Sequence, residues 1–160
     1  MACTDGELRI VQELANDPTV DVNWVEDDRL DTPLHPACRF QHLEIVMILL
    51  ANSKVDVNKG NKGDASSFYL ACQEGHMEVV SLLLVDPRID PNKPNLDGAT
   101  PFFIACQKGH REVVSLLLGD PKIDPNRGDN EGSTPLLAAC RTGSEEVVAL
   151  MLGTPRVDPN

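Results

Sequence analysis

Three times the chain sets a cysteine four residues before a histidine, at Cys38 and His42, Cys72 and His76, and Cys106 and His110. Thiolate and imidazole are ligands that zinc favours, and a tetrahedral site needs four of them within about 2.0–2.3 Å of the ion. Carboxylates recur in the same manner. Asp17 and Asp21, Asp86 and Asp90, and Asp120 and Asp124 each lie four apart, a separation that suggests acid/base work or a calcium ligand pair. The fourth thiol breaks the first pattern, since Cys140 is followed by Ser144, and the last segment breaks the second with Thr154 and Asp158. No nucleophile with its base and orienting group, no phosphate loop and no dinucleotide fingerprint can be assembled from what remains.

The elements that carry these residues are copies of one another. The Ala-Cys dipeptide stands at Ala2-Cys3, Ala37-Cys38, Ala71-Cys72, Ala105-Cys106 and Ala139-Cys140, so the cysteines step by 35, 34, 34 and 34. Asn23, Asn58, Asn92, Asn126 and Asn160 keep the same steps, each with an Asp two residues earlier. Ala71 to Asn92 and Ala105 to Asn126 differ at only four of twenty-two positions. The chain divides into a leading half-unit, residues 1–23, and four units at 24–58, 59–92, 93–126 and 127–160. The extra residue of the first full unit lies between Trp24 and Asp31.

Each unit reads as two short helices and a turn. In the unit that ends at Asn126, Thr100 can cap a helix with its hydroxyl, and Pro101 stands at the first helical position, where its missing N–H is not needed. Phe102 to Cys106 form the first helix, and Gly109 ends it in left-handed geometry. A second helix starts near His110 with Glu112 in its first turn. Its Val113, Val114, Leu116, Leu117 and Leu118 make an apolar face too wide for a solvated surface helix. Asp120-Pro121 turns the chain toward Ile123 to Asn126 and a glycine-containing loop. Helices of about ten residues cannot bury such faces alone, so the pairs must stack into one core.

These residues resemble the ankyrin repeat. Thr32-Pro33-Leu34-His35 is similar to its TPLH opening, Gly75-His76-Met77-Glu78-Val79-Val80 and Gly109-His110-Arg111-Glu112-Val113-Val114 to its second-helix start, and Val55-Asp56-Val57-Asn58 to its close. The likeness runs in phase along the chain. It implies an all-α solenoid of stacked helix-turn-helix units with projecting hairpin loops, and a role in binding other proteins. Several positions depart from the pattern. Ser66-Ser67-Phe68-Tyr69 loses the Pro and the His, although Ser66 can still cap. The loop glycine present as Gly98 and Gly132 is Leu30 in the first full unit and Asp64 in the next, so the first two loops are expected to be irregular.

With the units stacked, zinc is disfavoured, because successive Cys/His pairs would lie about a helix-pair width apart. The thiol is read as a small packing residue. The histidine is read, by the resemblance, as bonding to loop backbone. Disulfides are disfavoured on the same spacing, because bridged Cα atoms lie within about 7 Å. Free thiols then point to an intracellular setting, cytoplasmic or nuclear. The aspartate pairs are read as turns closed by side-chain to backbone bonds. No cofactor, metal or catalytic residue is expected.

Composition narrows the partners. Of 160 residues, 14 are Lys or Arg and 25 Asp or Glu, for a net charge of −11, which disfavours a nucleic-acid phosphate backbone or an anionic membrane surface. No apolar run reaches the roughly 18–20 residues that span a bilayer, and the N-terminus has no secretory signal pattern. A protein partner is the expectation.

Positions that differ between copies are free to serve it. After each Ala-Cys pair these are Arg39-Phe40, Gln73-Glu74, Gln107-Lys108 and Arg141-Thr142. At the loop tips they are Trp24, Asp31, Lys62, Ala65, Leu96, Asp97, Ala99, Asn130, Glu131 and Ser133. The resemblance implies that they line the concave face and hairpin tips. Trp24 and Phe40 stand out as exposed aromatics of the kind enriched in binding hot spots. The leading half-unit places Glu7, Glu13 and Ala15 where inner units place His110, Leu116 and Leu118, the pattern of a polar cap. The last unit keeps Val147, Val148, Leu150, Met151 and Leu152, so its outer edge is expected to be covered by further repeats, a partner or a second copy. Against the scaffold reading stand a passive spacer within a longer array and a metal-binding protein that uses the Cys/His lattice.

Overall fold

A computed structural model describes residues 5–25 and 28–159, with side chains from Leu8 onward. Cys3, Asn160 and the side chain of Glu7, all used in the sequence reading, lie outside the described residues. The chain forms α1 (Asp5–Asn16), α2 (Leu34–Arg39), α3 (Leu43–Ala51), α4 (Ser67–Glu74), α5 (Met77–Leu84), α6 (Pro101–Lys108), α7 (Arg111–Gly119), α8 (Pro135–Thr142) and α9 (Glu145–Leu152).

Local chemistry explains where the first helices start and stop. Ser66, Thr100 and Thr134 hold extended backbone, and their hydroxyls accept from the N–H groups of Tyr69, Phe103 and Leu137 at 3.1, 3.1 and 3.3 Å. Gly75, Gly109 and Gly143 end α4, α6 and α8 with φ of 75°, 76° and 73°, a region closed to most side chains. The glycine is needed twice over at Gly75, where a Cβ would come within 2.6 Å of the His110 ring. α2 differs. Its Thr32 hydroxyl and N–H both meet His35 Nδ1 instead of capping the helix, and Gln41 takes φ 57° where the other copies use glycine.

The second helices have no side-chain caps. His76 Nε2 lies 2.9 Å from the Arg39 carbonyl, and His110 Nε2 lies 2.8 Å from that of Gln73. The expected loop acceptor is thus corrected: each imidazole reaches the end of the preceding unit's first helix, because that helix leaves its last carbonyls without intrahelical donors.

The linkers are closed by aspartates as the spacing predicted. Asp86, Asp90, Asp120 and Asp124 each accept through Oδ1 from the N–H two residues on, at 2.8–3.0 Å. The asparagines add a ladder that the sequence did not reveal. Asn23, Asn58, Asn92 and Asn126 each donate through Nδ2 to the carbonyl of Lys54, Arg88, Lys122 and Arg156 and accept through Oδ1 from the N–H of Asp56, Asp90, Asp124 and Asp158. Each rung ties one turn to the next.

The first helices pack in the order α2, α4, α6, α8 and the second helices in the order α1, α3, α5, α7, α9, with each first helix against its own second. The wide apolar face of α7 is covered as expected, with Val113, Val114 and Leu117 at most 1% exposed. One reading needs correction. The first two loops are regular: Leu30 and Asp64 adopt φ of 56° and 53° beside 80° and 78° at Gly98 and Gly132, so stacking forces the left-handed turn on residues that disfavour it. In the leading half-unit Glu13 is exposed. Ala15 is buried against the stack, yet Ile10 and Leu14 on α1 are 57% and 51% exposed. At the other end Leu137, Leu152 and Cys140 are exposed, as an open edge predicts.

Candidate interaction surface

The groups that looked chemical are occupied by the fold. Cys38, Cys72 and Cys106 are fully buried and unpaired. Burial pushes the Cys38 thiol up to about 12 and raises Cys72 and Cys106 as well, which keeps them protonated and poor metal ligands. His76 and His110 are spent on helix-end carbonyls, and the turn aspartates on backbone N–H groups. Among the described residues no cluster of three or more His, Cys, Asp or Glu side chains could hold a metal.

His35 is a special case. It is fully buried, with the Thr32 N–H donating to Nδ1 at 3.0 Å and Nε2 3.1 Å from the Ala65 carbonyl. An amide donor at Nδ1 requires a lone pair there, so the ring is neutral with its proton on Nε2. Burial is the main cause that holds its pKa below the ordinary value, outweighing the Ala65 carbonyl and Asp31, which pull upward.

The variable positions divide into two sets. Trp24 and Phe40 are 57% and 61% exposed, and Leu96 is 65% exposed at its loop tip. Lys62, Glu74, Asp97, Lys108, Asn130, Glu131, Arg141 and Thr142 are exposed, and Gln73 and Gln107 half-buried. Asp31 and Arg39 are half-buried partners in an ion pair at 2.9 Å, and Asp31 also accepts from Asn61 Nδ2. Ala65, Ala99 and Ser133 are corrections, being only 8%, 6% and 8% exposed. All three precede the helix cap, where the loop folds back: Asn61, Asn95 and Asp129 accept through Oδ1 from their N–H groups, which turns their side chains under the loop.

Lys62, Leu96 and Asn130 share one phase. Their N–H groups donate to the carbonyls of Arg29, Gly63 and Asp97 at 2.7, 2.9 and 2.9 Å, so adjacent tips are linked through backbone; all three side chains are exposed, and that of Asn130 also donates through Nδ2 to the Leu96 carbonyl at 2.9 Å. Leu30, at 47% exposure, belongs to the same surface and was missed. Its signal was present, because it stands in the phase of the loop glycines. The charges of this surface nearly cancel. In loops and first helices 24–41, 59–75, 93–109 and 127–143, eight Lys or Arg stand against nine Asp or Glu. The excess of negative charge lies elsewhere on the molecule.

No helix among the described residues is long and apolar enough to cross a membrane. A family model described as ankyrin repeats, with three copies, matches residues 1–95 and 68–160, which together span the chain. Comparison with curated proteins finds no match.

Proposed function

The chain belongs to the ankyrin-repeat family, whose members are generally protein-interaction modules and typically non-enzymatic, and from that premise we propose that it is a scaffold that binds a protein partner without turnover. Residues 24–58, 59–92, 93–126 and 127–160 are read as its repeats and 1–23 as an N-terminal capping half-repeat, together one domain. The partner meets the loop tips and the ends of the first helices, the face that the family resemblance calls concave. One observation carries this reading: at residues 62, 96 and 130 the same hydrogen bond fixes the backbone, yet the exposed side chain is Lys, Leu or Asn. A lattice that needed these positions for packing would repeat them.

Near-neutrality of this face adds a constraint. The partner is drawn in by shape and apolar anchors such as Trp24, Phe40 and Leu96, with little long-range steering, so its association rate varies weakly with salt. The free thiols support a reducing, intracellular setting.

The test is affinity capture with mass spectrometry on wild type and on the triple variant Lys62→Ala, Leu96→Ala, Asn130→Ala, with Lys54→Ala, Lys122→Ala on the linkers as control. Loss of the captured protein in the first variant alone supports the reading. Equal capture by all three would refute it.

A further inference from the structure

The charges that cancel over the loop-tip face are sorted within it. A cavity of about 700 Å³ is lined by the cations Arg29, Arg39 and Lys62, with Asp97 as the acid among its described residues. A second, of about 330 Å³, is lined by Asp97, Asp129 and Glu131, with Arg141 as the cation. The two share Tyr69, Asn95, Asp97 and Gln107, so they are parts of one groove along the first helices and their loops. Asp31 neutralises Arg39 in the ion pair, and Asp129 is spent on backbone N–H groups. Lys62 and Glu131, two units apart, are exposed, and their side chains bond no described residue. One end of the groove therefore offers a positive charge and the other a negative one.

Polar groups where the two cavities meet also lack partners. Tyr69 is only 5% exposed, yet it lines both. Its oxygen accepts from Asn95 Nδ2 at 3.4 Å, beyond the usual range of a hydrogen bond, and its proton goes to no described acceptor. Packing does not require that hydroxyl, because Phe103 fills the same phase one unit on and is 3% exposed. Burial first, and then the charge of Asp97, pushes the Tyr69 group up to about 12, so it remains a donor. Gln107 is the other such group. In its phase Arg39 bonds Asp31 and Arg141 bonds the Ser133 hydroxyl, each eight residues back, whereas Gln107 has Ala99 at that distance and its amide bonds no described residue.

We propose that this groove takes an extended segment of the protein partner, with an acidic side chain beside Lys62 and a basic one between Asp97 and Glu131. The proposal rests on the scaffold reading and names the chemistry of its partner. An extended main chain presents a carbonyl and an N–H at nearly every residue, which match the Tyr69 hydroxyl and the two ends of the Gln107 amide. A helix spends those groups internally and would leave Tyr69 and Gln107 unpaired. Successive first helices lie about 10 Å apart, so Lys62 and Glu131 are separated by about 20 Å. An extended chain covers that span in about six residues, which fixes the spacing of the two charges.

A display library of random linear peptides is panned on the full chain. Enriched sequences are expected to carry Asp or Glu and Lys or Arg about six residues apart. Affinity for the most enriched peptide is expected to fall about tenfold or more in the double variant Asp97→Lys, Glu131→Lys, as for loss of a charge-assisted hydrogen bond. It returns when the peptide's basic residue is exchanged for Glu. Lys62→Glu disrupts the other end, and Tyr69→Phe weakens binding several-fold with the fold intact, since Phe103 already occupies that phase. Lys54→Ala, Lys122→Ala on the linkers leaves it unchanged. Circular dichroism verifies that each variant folds. Absence of enrichment, enriched peptides without the charge pair, or affinity that survives both charge reversals overturns the proposal. The panning needs no natural partner, so its failure beside intact loop-tip capture leaves the scaffold reading standing.

Discussion

At the scale of single residues, burial decides which groups titrate and react. His35 has a folded pKa below its unfolded value, near 6.5, so above pH 6.5 its neutral form is bound at full strength. As pH falls below 6.5 toward the folded value, the unfolded chain takes up a proton that the native site resists. Stability then drops by up to about 1.4 kcal/mol per pH unit from this group. Urea denaturation at pH 7.5 and 5.5 is expected to show this loss, and His35→Leu to flatten it while lowering stability at both pH values. The thiols divide just as sharply. Cys140 is exposed and is expected to react with a maleimide in the native protein, whereas Cys38, Cys72 and Cys106 label only on unfolding, as peptide mass mapping would show. The sequence placed these cysteines in one phase, and it could not single out Cys140 as exposed, because exposure depends on which helices pack against α8.

At the scale of elements, turns and ladders set the register. Asn92 bonds the Lys122 carbonyl at 2.6 Å and the Asp124 N–H at 2.9 Å, so Asn92→Ala is expected to cost about 1–2 kcal/mol. Chemical denaturation would measure it, and an unchanged midpoint would mean that water replaces the rung without loss. Leu30 is the opposite case. Its φ of 56° is strained and its side chain half in solvent, so Leu30→Gly is expected to stabilise by about 1 kcal/mol. Helix caps and stops were legible in the sequence because Ser66, Thr100, Gly109 and Pro101 act on their own neighbours. The asparagine ladder was not, because its partners lie 30 to 33 residues away and any polar side chain looks alike in a loop.

At the scale of the whole molecule, stability is a sum of neighbouring contacts, and α1 and α9 pack against fewer of the described helices than the central ones do. Amide exchange is expected to be slowest in α5, α6 and α7 and faster in α1 and α9, where Ile10, Leu14 and Leu152 face solvent. Protection of α1 and α9 equal to that of the centre would show that both edges are covered in solution.

The residues by themselves determined the repeat, its period, the two helices of each unit and the need to stack, since periodicity and capping are local and repeated in phase. They also marked the positions free to vary. Only the tertiary structure decided which of those reach solvent, turning Ala65, Ala99 and Ser133 under their loops and leaving Lys62, Leu96 and Asn130 outside. It alone showed that Ile10 and Leu14 on α1 are exposed, because exposure depends on which helices pack against a side chain and not on the residue type alone.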